Sequence, residues 1–241
     1  MEQQRKIEKE VAENQALVSL MIDFDAVSAD YSKEDETYLG KIQDLKSRYK
    51  CVRKTRGDGN CFYRAFGFAY LEQLLTNQVD FSRFKEVASR SKEELVDLGF
   101  PRFTIEDFHD TFMDVVEKVG TPCTKEELHE TFNDQGTSDY LVVYLRLLVS
   151  GYLQKEAEFF QNFIEGERSV REFCNQEVEP MGKESDHLQV MALTSALGVA
   201  VRVVYMDRGD SSRCNHHDFP EDSVPSVYLL YRPGHYDILY S

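Results

Sequence analysis

Through most of the chain, apolar residues recur at three- and four-residue steps, the period of a helix with one buried face. The spacing predicts helices over Tyr38–Lys50, Cys61–Leu75, Phe81–Leu98, Ile105–Val119, Lys125–Phe132, Ser138–Leu153, Glu156–Ile164, Val170–Val178 and His187–Leu197. Thr104, ahead of Ile105-Glu106-Asp107, and Ser185, ahead of the His187 helix, are acceptable N-caps, and Gly198 sits where a C-cap glycine is expected. The period then changes. Val199–Met206 and Ser226–Tyr231 are β-branched or apolar runs, and Pro233-Gly234 is a turn signal that opens a third strand, His235–Tyr240. Many helices followed by a strand meander predict an α+β domain, a small and mostly antiparallel sheet flanked by helices.

The first residues differ from the rest. Between Glu2 and Met21, Ile7, Val11, Val18 and Met21 form one thin apolar stripe on a highly charged helical pattern, interrupted at Asn14 and Gln15. Two readings stay open: a helix packed on its own domain, or an arm that orders only against a partner, since so narrow a stripe buries little. After a polar stretch, Ser28–Thr37, the compact pattern begins, and we divide the chain into an arm with its connector (1–45) and a domain (46–241).

Composition narrows the classes. A chain of 241 residues with 41% hydrophobic residues can bury a proper core. Its net charge of −15 argues against a nucleic-acid partner, which would need clustered Lys and Arg. No apolar run approaches the ~18 residues of a membrane span, and the charged start is unlike a signal peptide. The expectation is a soluble, monomeric protein of the cytoplasm, with the nucleus open as well. Five cysteines without a C-x-x-C pair point to reduced thiols. Cys214 near His216 and His217 invites a zinc reading, but tetrahedral zinc needs four ligands and no second pair is found. We read Asp207–Pro220 as a polar surface loop and expect no metal.

The chemistry concentrates at Thr55-Arg56-Gly57-Asp58-Gly59-Asn60-Cys61-Phe62-Tyr63-Arg64-Ala65-Phe66. Two glycines bracket an Asp before a helix-forming run, so the backbone turns tightly and its N–H groups can converge on an anion. Cys61 falls in the first helical turn, where unpaired N–H groups and the helix dipole favour a thiolate. A tetrahedral oxyanion needs the same donors. In Gly234-His235-Tyr236-Asp237, the strand period of two sets His235 and Asp237 on one face. Asp237 then accepts from one ring nitrogen and the other is left for Cys61, the Cys–His–carboxylate logic of thiol proteases. Cys51, Cys123, Cys174 and Cys214 read as packing or surface residues.

The segments Asp58–Ala65 and Gly234–Asp237 resemble the cysteine and histidine motifs of the ovarian-tumour deubiquitinases, and Phe103–Phe108, Thr137–Arg146, Glu177–Ser185 and Tyr228–Tyr240 resemble the otubains among them. The resemblance runs from the N-terminal helix to the last residues. It implies a papain-like α+β fold, Cys61 as nucleophile, His235 as general base and Asp237 as the group orienting it. Asp58, Gly59 and Asn60 become the oxyanion loop. Family accounts sometimes count Asp58 itself as catalytic; we prefer Asp237. Gly57 stands where proline is expected, which implies a looser loop. No cofactor is implied. The implied substrate is lysine-48-linked polyubiquitin, with Ile7, Val11 and Val18 of the arm on the proximal ubiquitin and His187 in the distal-ubiquitin region. The bland alternative for His187 is a surface residue near an N-cap. Binding and inhibition of ubiquitin-charged conjugating enzymes is also implied, with Thr104 in the contacting part. Two rivals remain: chiefly a sequestering module for those enzymes, or a thiol enzyme for another acyl substrate.

Overall fold

The computed structural model describes residues 14–32, 34–209 and 211–241. Its five strands are β1 (Cys51–Arg53), β2 (Val201–Tyr205), β3 (Asn215–Phe219), β4 (Val227–Arg232) and β5 (His235–Tyr240), in the order β1-β5-β4-β2-β3. β2 and β4 run parallel, and the other neighbouring pairs are antiparallel. Alternate residues explain why β2 and β4 read as nearly continuous apolar runs. Val201, Val203, Val227, Leu229 and Ile238 face the main core, while Val52, Val204, Leu230 and Leu239 face a second one. The centre of the sheet is buried on both faces, so both faces must be apolar there.

The second core is closed by α1 (Phe24–Ser28) and α2 (Glu36–Arg48), through Phe24, Val27, Tyr38, Ile42 and Leu45. Residues that the sequence divided off as arm and connector thus cover one face of the sheet. The other face carries α3 (Cys61–Leu74), α4 (Gln78–Asp97), α5 (Arg102–Val119), α6 (Lys125–Asn133), α7 (Gln135–Lys155), the short α8 (Ala157–Phe160) and α9 (Val170–Phe173), and α10 (His187–Leu197). In α3 only Ala69 and Gln73 are not buried. A helix apolar all round belongs at the centre of a domain, and α3 fixes Cys61 rigidly there.

Several expectations are corrected. α5 begins at Arg102 after Pro101, so Thr104 lies inside its first turn and is no N-cap. Proline suits a helix start because its missing N–H would lack a partner there anyway. Asp186, not Ser185, caps α10, in a capping box with Gln189; Gly198 ends it at φ +63°, as expected of a C-cap glycine. Within Asp207–Pro220, Asn215–Phe219 forms edge strand β3 and Cys214 is buried.

Val18 does not lie on a helical stripe. It is fully buried in an extended segment, bridging Thr55, with its N–H on Asn133 Oδ1 (3.2 Å) and its carbonyl accepting from His129 Nε2 (2.9 Å). A residue so enclosed offers no surface to ubiquitin. Met21 is half-exposed, and Ile7 and Val11 lie outside the described residues.

Candidate active site

The loop before α3 is shaped by short hydrogen bonds. Asp58 N–H donates to Arg56 O (3.0 Å), and Asn60 N–H donates to Asp58 Oδ1 (2.9 Å). The Asp58 carboxylate also accepts from the fully buried Arg64 Nη1 (3.0 Å). Gly59 has φ +76°, and a Cβ there would stand 2.0 Å from Gly182 O. Only glycine fits so close to a neighbouring backbone. These bonds apportion the loop's donors more finely than the sequence does. The N–H groups of Asp58 and Asn60 are spent within the loop, whereas those of Gly59 and Cys61 have no acceptor among the described residues and remain for an oxyanion.

On the facing hairpin, β4 and β5 pair Arg232 with His235 and Leu230 with Asp237 across the Pro233-Gly234 turn. His235 and Asp237 therefore share a face, two residues apart. His235 Nε2–H donates to Asp237 Oδ1 at 2.8 Å, so Nδ1 is the nitrogen left for the thiol. Asp237 is fully buried and also accepts from Thr55 N–H (2.9 Å) and Arg232 Nη2 (2.5 Å). Burial alone would raise its carboxyl; His235, Arg232 and the Thr55 N–H hold it below the usual carboxylate range. Burial likewise pushes the His235 imidazole down, but hydrogen bonds to Asp237 and Cys61, together with their charges, carry it up to about 9.

The structure thus brings Cys61, His235 and Asp237 into one relay. Asp58 stands apart from the imidazole, its carboxylate turned to Arg64 and the loop, which makes it a shaping residue for the oxyanion loop. Gly57 lies beside the ring, its added Cβ reaching, among the described residues, only His235 Nδ1 at 3.8 Å, and its N–H donates to Gln15 Oε1 (3.4 Å). A cleft of about 1060 Å³ opens next to His235, lined among others by Gln15, Tyr31, Lys54 and Arg232. Among the described residues, no group of three or more His, Cys, Asp or Glu side chains is arranged to hold a metal ion.

The other sequence candidates lie elsewhere on the surface. The half-exposed His187 ring stacks on Tyr205, at 5.6 Å and 13°, with Nε2 3.1 Å from its hydroxyl. Thr104 is exposed beside Phe103, which is 92% exposed. Four contributors carried no role in the sequence reading: Thr55, Arg64, Arg146 and Arg232. Arg64, Arg146 and Arg232 do fall inside the segments that resemble the family, the one signal available for them.

The match to known proteins settles the relationship. The family model "Peptidase C65 Otubain" matches residues 10–241. The chain belongs to the otubain family. This otubain is 57% identical over 240 residues to ubiquitin thioesterase OTUB1 of Homo sapiens, covering 100% of this chain and 89% of that protein. It is 43% identical over 225 residues to ubiquitin thioesterase OTUB2 of Homo sapiens, covering 93% and 95% of the two. A solved complex of h/ceOTUB1 with ubiquitin aldehyde and UBCH5B~Ub superposes with a TM-score of 0.94 at 37% identity, over 100% of this chain and 96% of that one.

Proposed function

We propose that this otubain is a cysteine isopeptidase that cleaves lysine-48-linked ubiquitin chains. The carrying observation is the hydrogen bond from His235 Nε2 to the buried Asp237, which holds the ring with Nδ1 free for Cys61. Cys61 Sγ attacks the isopeptide carbonyl carbon, and the charge on its oxygen is met by the Gly59 and Cys61 N–H groups. The C–N bond then breaks as His235 gives its Nδ1 proton to the departing lysine amine. Water, deprotonated by His235, attacks the thioester, releasing the ubiquitin carboxylate and restoring the thiol. Asp237 stabilises the imidazolium throughout.

The distal ubiquitin would sit on the His187 side, and the proximal one beside the cleft at His235, where Ile7 and Val11 of the arm would meet it. A second reading, inhibition of charged conjugating enzymes without catalysis, is favoured by two structural neighbours at TM-score 0.94 that hold UBCH5B~Ub and UBC13~Ub. Thr104 would lie in that contact. Cleavage of diubiquitins of each linkage, beside inhibition of chain synthesis, tests both. Preference for lysine-48 linkage is expected, and Cys61→Ser should lose cleavage but keep inhibition. Equal cleavage of all linkages would refute the specificity, and loss of inhibition in Cys61→Ser would refute the second activity.

A further inference from the structure

Arg146 lies in mid-helix in α7 and is fully buried. Among the described residues it has no carboxylate partner. Nη1 donates to Val178 O (2.8 Å), and Nη2 faces Gly59 O (2.9 Å), Asn60 Oδ1 (2.8 Å) and Lys183 O (2.8 Å). The guanidinium also stacks over the Tyr63 ring at 4.5 Å. Its Nε is buried with no acceptor among the described residues. An isolated buried charge with an unspent donor is a costly way to hold a helix in place, and an apolar residue would usually do it better. The contrast with the equally buried Arg64, which meets the carboxylate of Asp58, sharpens the point.

Among the described residues, the hydrogen bonds of Arg146 all go to the active-site loop and the segment behind it. Its bond to Gly59 O and the Asp58 bond to Asn60 N–H grip the Gly59–Asn60 peptide from both ends, so this peptide cannot turn over. Through Asn60 Oδ1, which also accepts from Gly182 N–H (2.9 Å), the same guanidinium ties this loop to residues 178–183. The N–H groups of Gly59 and Cys61 flank the gripped peptide on either side.

We propose that Arg146 is a positioning residue for the reaction: it locks the Gly59–Asn60 peptide so that the flanking N–H groups meet the oxyanion, and its unpaired charge favours that developing negative charge. This deepens the isopeptidase reading and rests on it. Burial works against the charge on Arg146, and Tyr63, Asp58 and Cys61 are the groups that favour it.

Ubiquitin aldehyde separates positioning from scaffolding. Cys61 Sγ adds to the aldehyde carbon, the thiol proton passes to the oxygen or stays on His235, and nothing leaves, so the adduct mimics the tetrahedral intermediate; unmodified ubiquitin does not. Arg146→Gln is expected to weaken aldehyde binding and lower kcat by about 100-fold, the loss typical of an oxyanion donor, while ubiquitin affinity stays within about 3-fold. Arg146→Lys, which keeps the charge but not the fork, is expected to recover part of both. Folded variants that bind the aldehyde as the parent does, or that lose aldehyde and ubiquitin affinity alike, overturn the proposal. Should Arg146→Gln not fold, Arg146→Lys decides: a loss of about 10-fold in aldehyde affinity alone supports the role, and parent-like affinity overturns it. If the parent itself ignores ubiquitin aldehyde, the isopeptidase reading falls. A short peptide aldehyde, which needs only Cys61 and the loop, then replaces it, and equal affinity in parent and variants overturns the role of Arg146.

Discussion

The two walls of the active site solve the same problem, holding a reactive group still, by opposite means. The His235 wall is a strand register: pairing of β4 with β5 fixes the ring, and its carboxylate is saturated by Thr55, Arg232 and His235. Each charge there meets its opposite: Asp237 faces His235 and Arg232, and Arg232 also meets Asp30. The Cys61 wall is a loop outside any ladder, held by a glycine at positive φ and by a guanidinium that meets carbonyls and an amide in place of a carboxylate. Tyr236 OH, donating to Ser185 O at 3.3 Å, links the histidine strand to the segment behind the loop. The lesson is that a group needing a fixed orientation is placed on the sheet, while the wall that receives the oxyanion keeps one positive charge, that of Arg146, without a carboxylate partner among the described residues.

The largest test removes one wall's reacting atom. Cys61→Ala should abolish diubiquitin cleavage, with His235→Ala nearly as severe, whereas Cys51→Ala and Cys123→Ala should leave turnover intact. Activity that survives Cys61→Ala would end the account.

Next in size is the orienting carboxylate. Asp237→Asn should lower kcat by between about 100- and 10,000-fold while leaving measurable turnover, since the ring keeps a polar partner but loses the charge that stabilises imidazolium. Asp58→Asn should cost about 10-fold or less, because that side chain faces Arg64 and not the ring. A reversed order in one assay would move the third catalytic position to the loop.

Two glycines, two residues apart, sharpen the comparison within the Cys61 wall. Gly59→Ala forces a Cβ to 2.0 Å from Gly182 O and should lower kcat at least about 10-fold and reduce Tm by several degrees. Among the described residues, Gly57→Ala meets only His235 Nδ1, at ordinary contact distance, and should change kcat by less than about 3-fold. Equal effects in steady-state assays and thermal melts would show that the loop is not pinned at Gly59.

The smallest effect is on pH. His235 is carried from an ordinary value of 6.5 up to about 9 in the folded protein, so between these values the native state holds a proton that the unfolded chain has lost. Its contribution to stability is complete below pH 6.5 and fades as pH rises through 9. The Tm gap between parent and His235→Gln should therefore narrow from pH 6 to pH 10 on the order of a few degrees. A gap that widens with pH would contradict the raised value.

Much of this was legible in the sequence, and what was not has physical reasons. Long helices announce themselves through a period of 3.6, and those expected between Tyr38 and Leu197 have their counterparts in the structure, except that Glu156–Ile164 and Val170–Val178 are α-helical for four residues each and continue as a 3-10 turn and a π turn. Cys61, His235 and Asp237 stood out because a glycine-bracketed turn entering a helix and a His-x-Asp on one strand face each have few other uses. β1 escaped notice because three residues carry no period, and β3 because an edge strand paired on one side tolerates Asn215, His216 and His217. Val18 was misplaced because its extended path is imposed by Asn133, His129 and Thr55, all distant in sequence. Arg146 and Arg64 were passed over because a charged residue in a helix ordinarily marks its solvent face.

The most direct test of the central claim is covalent labelling by ubiquitin bearing a C-terminal electrophile, followed by mass mapping of the modified residue. One adduct is expected, on Cys61, blocked by Cys61→Ala and much slowed by His235→Ala. No adduct, or an adduct on Cys51, Cys123, Cys174 or Cys214, would contradict it.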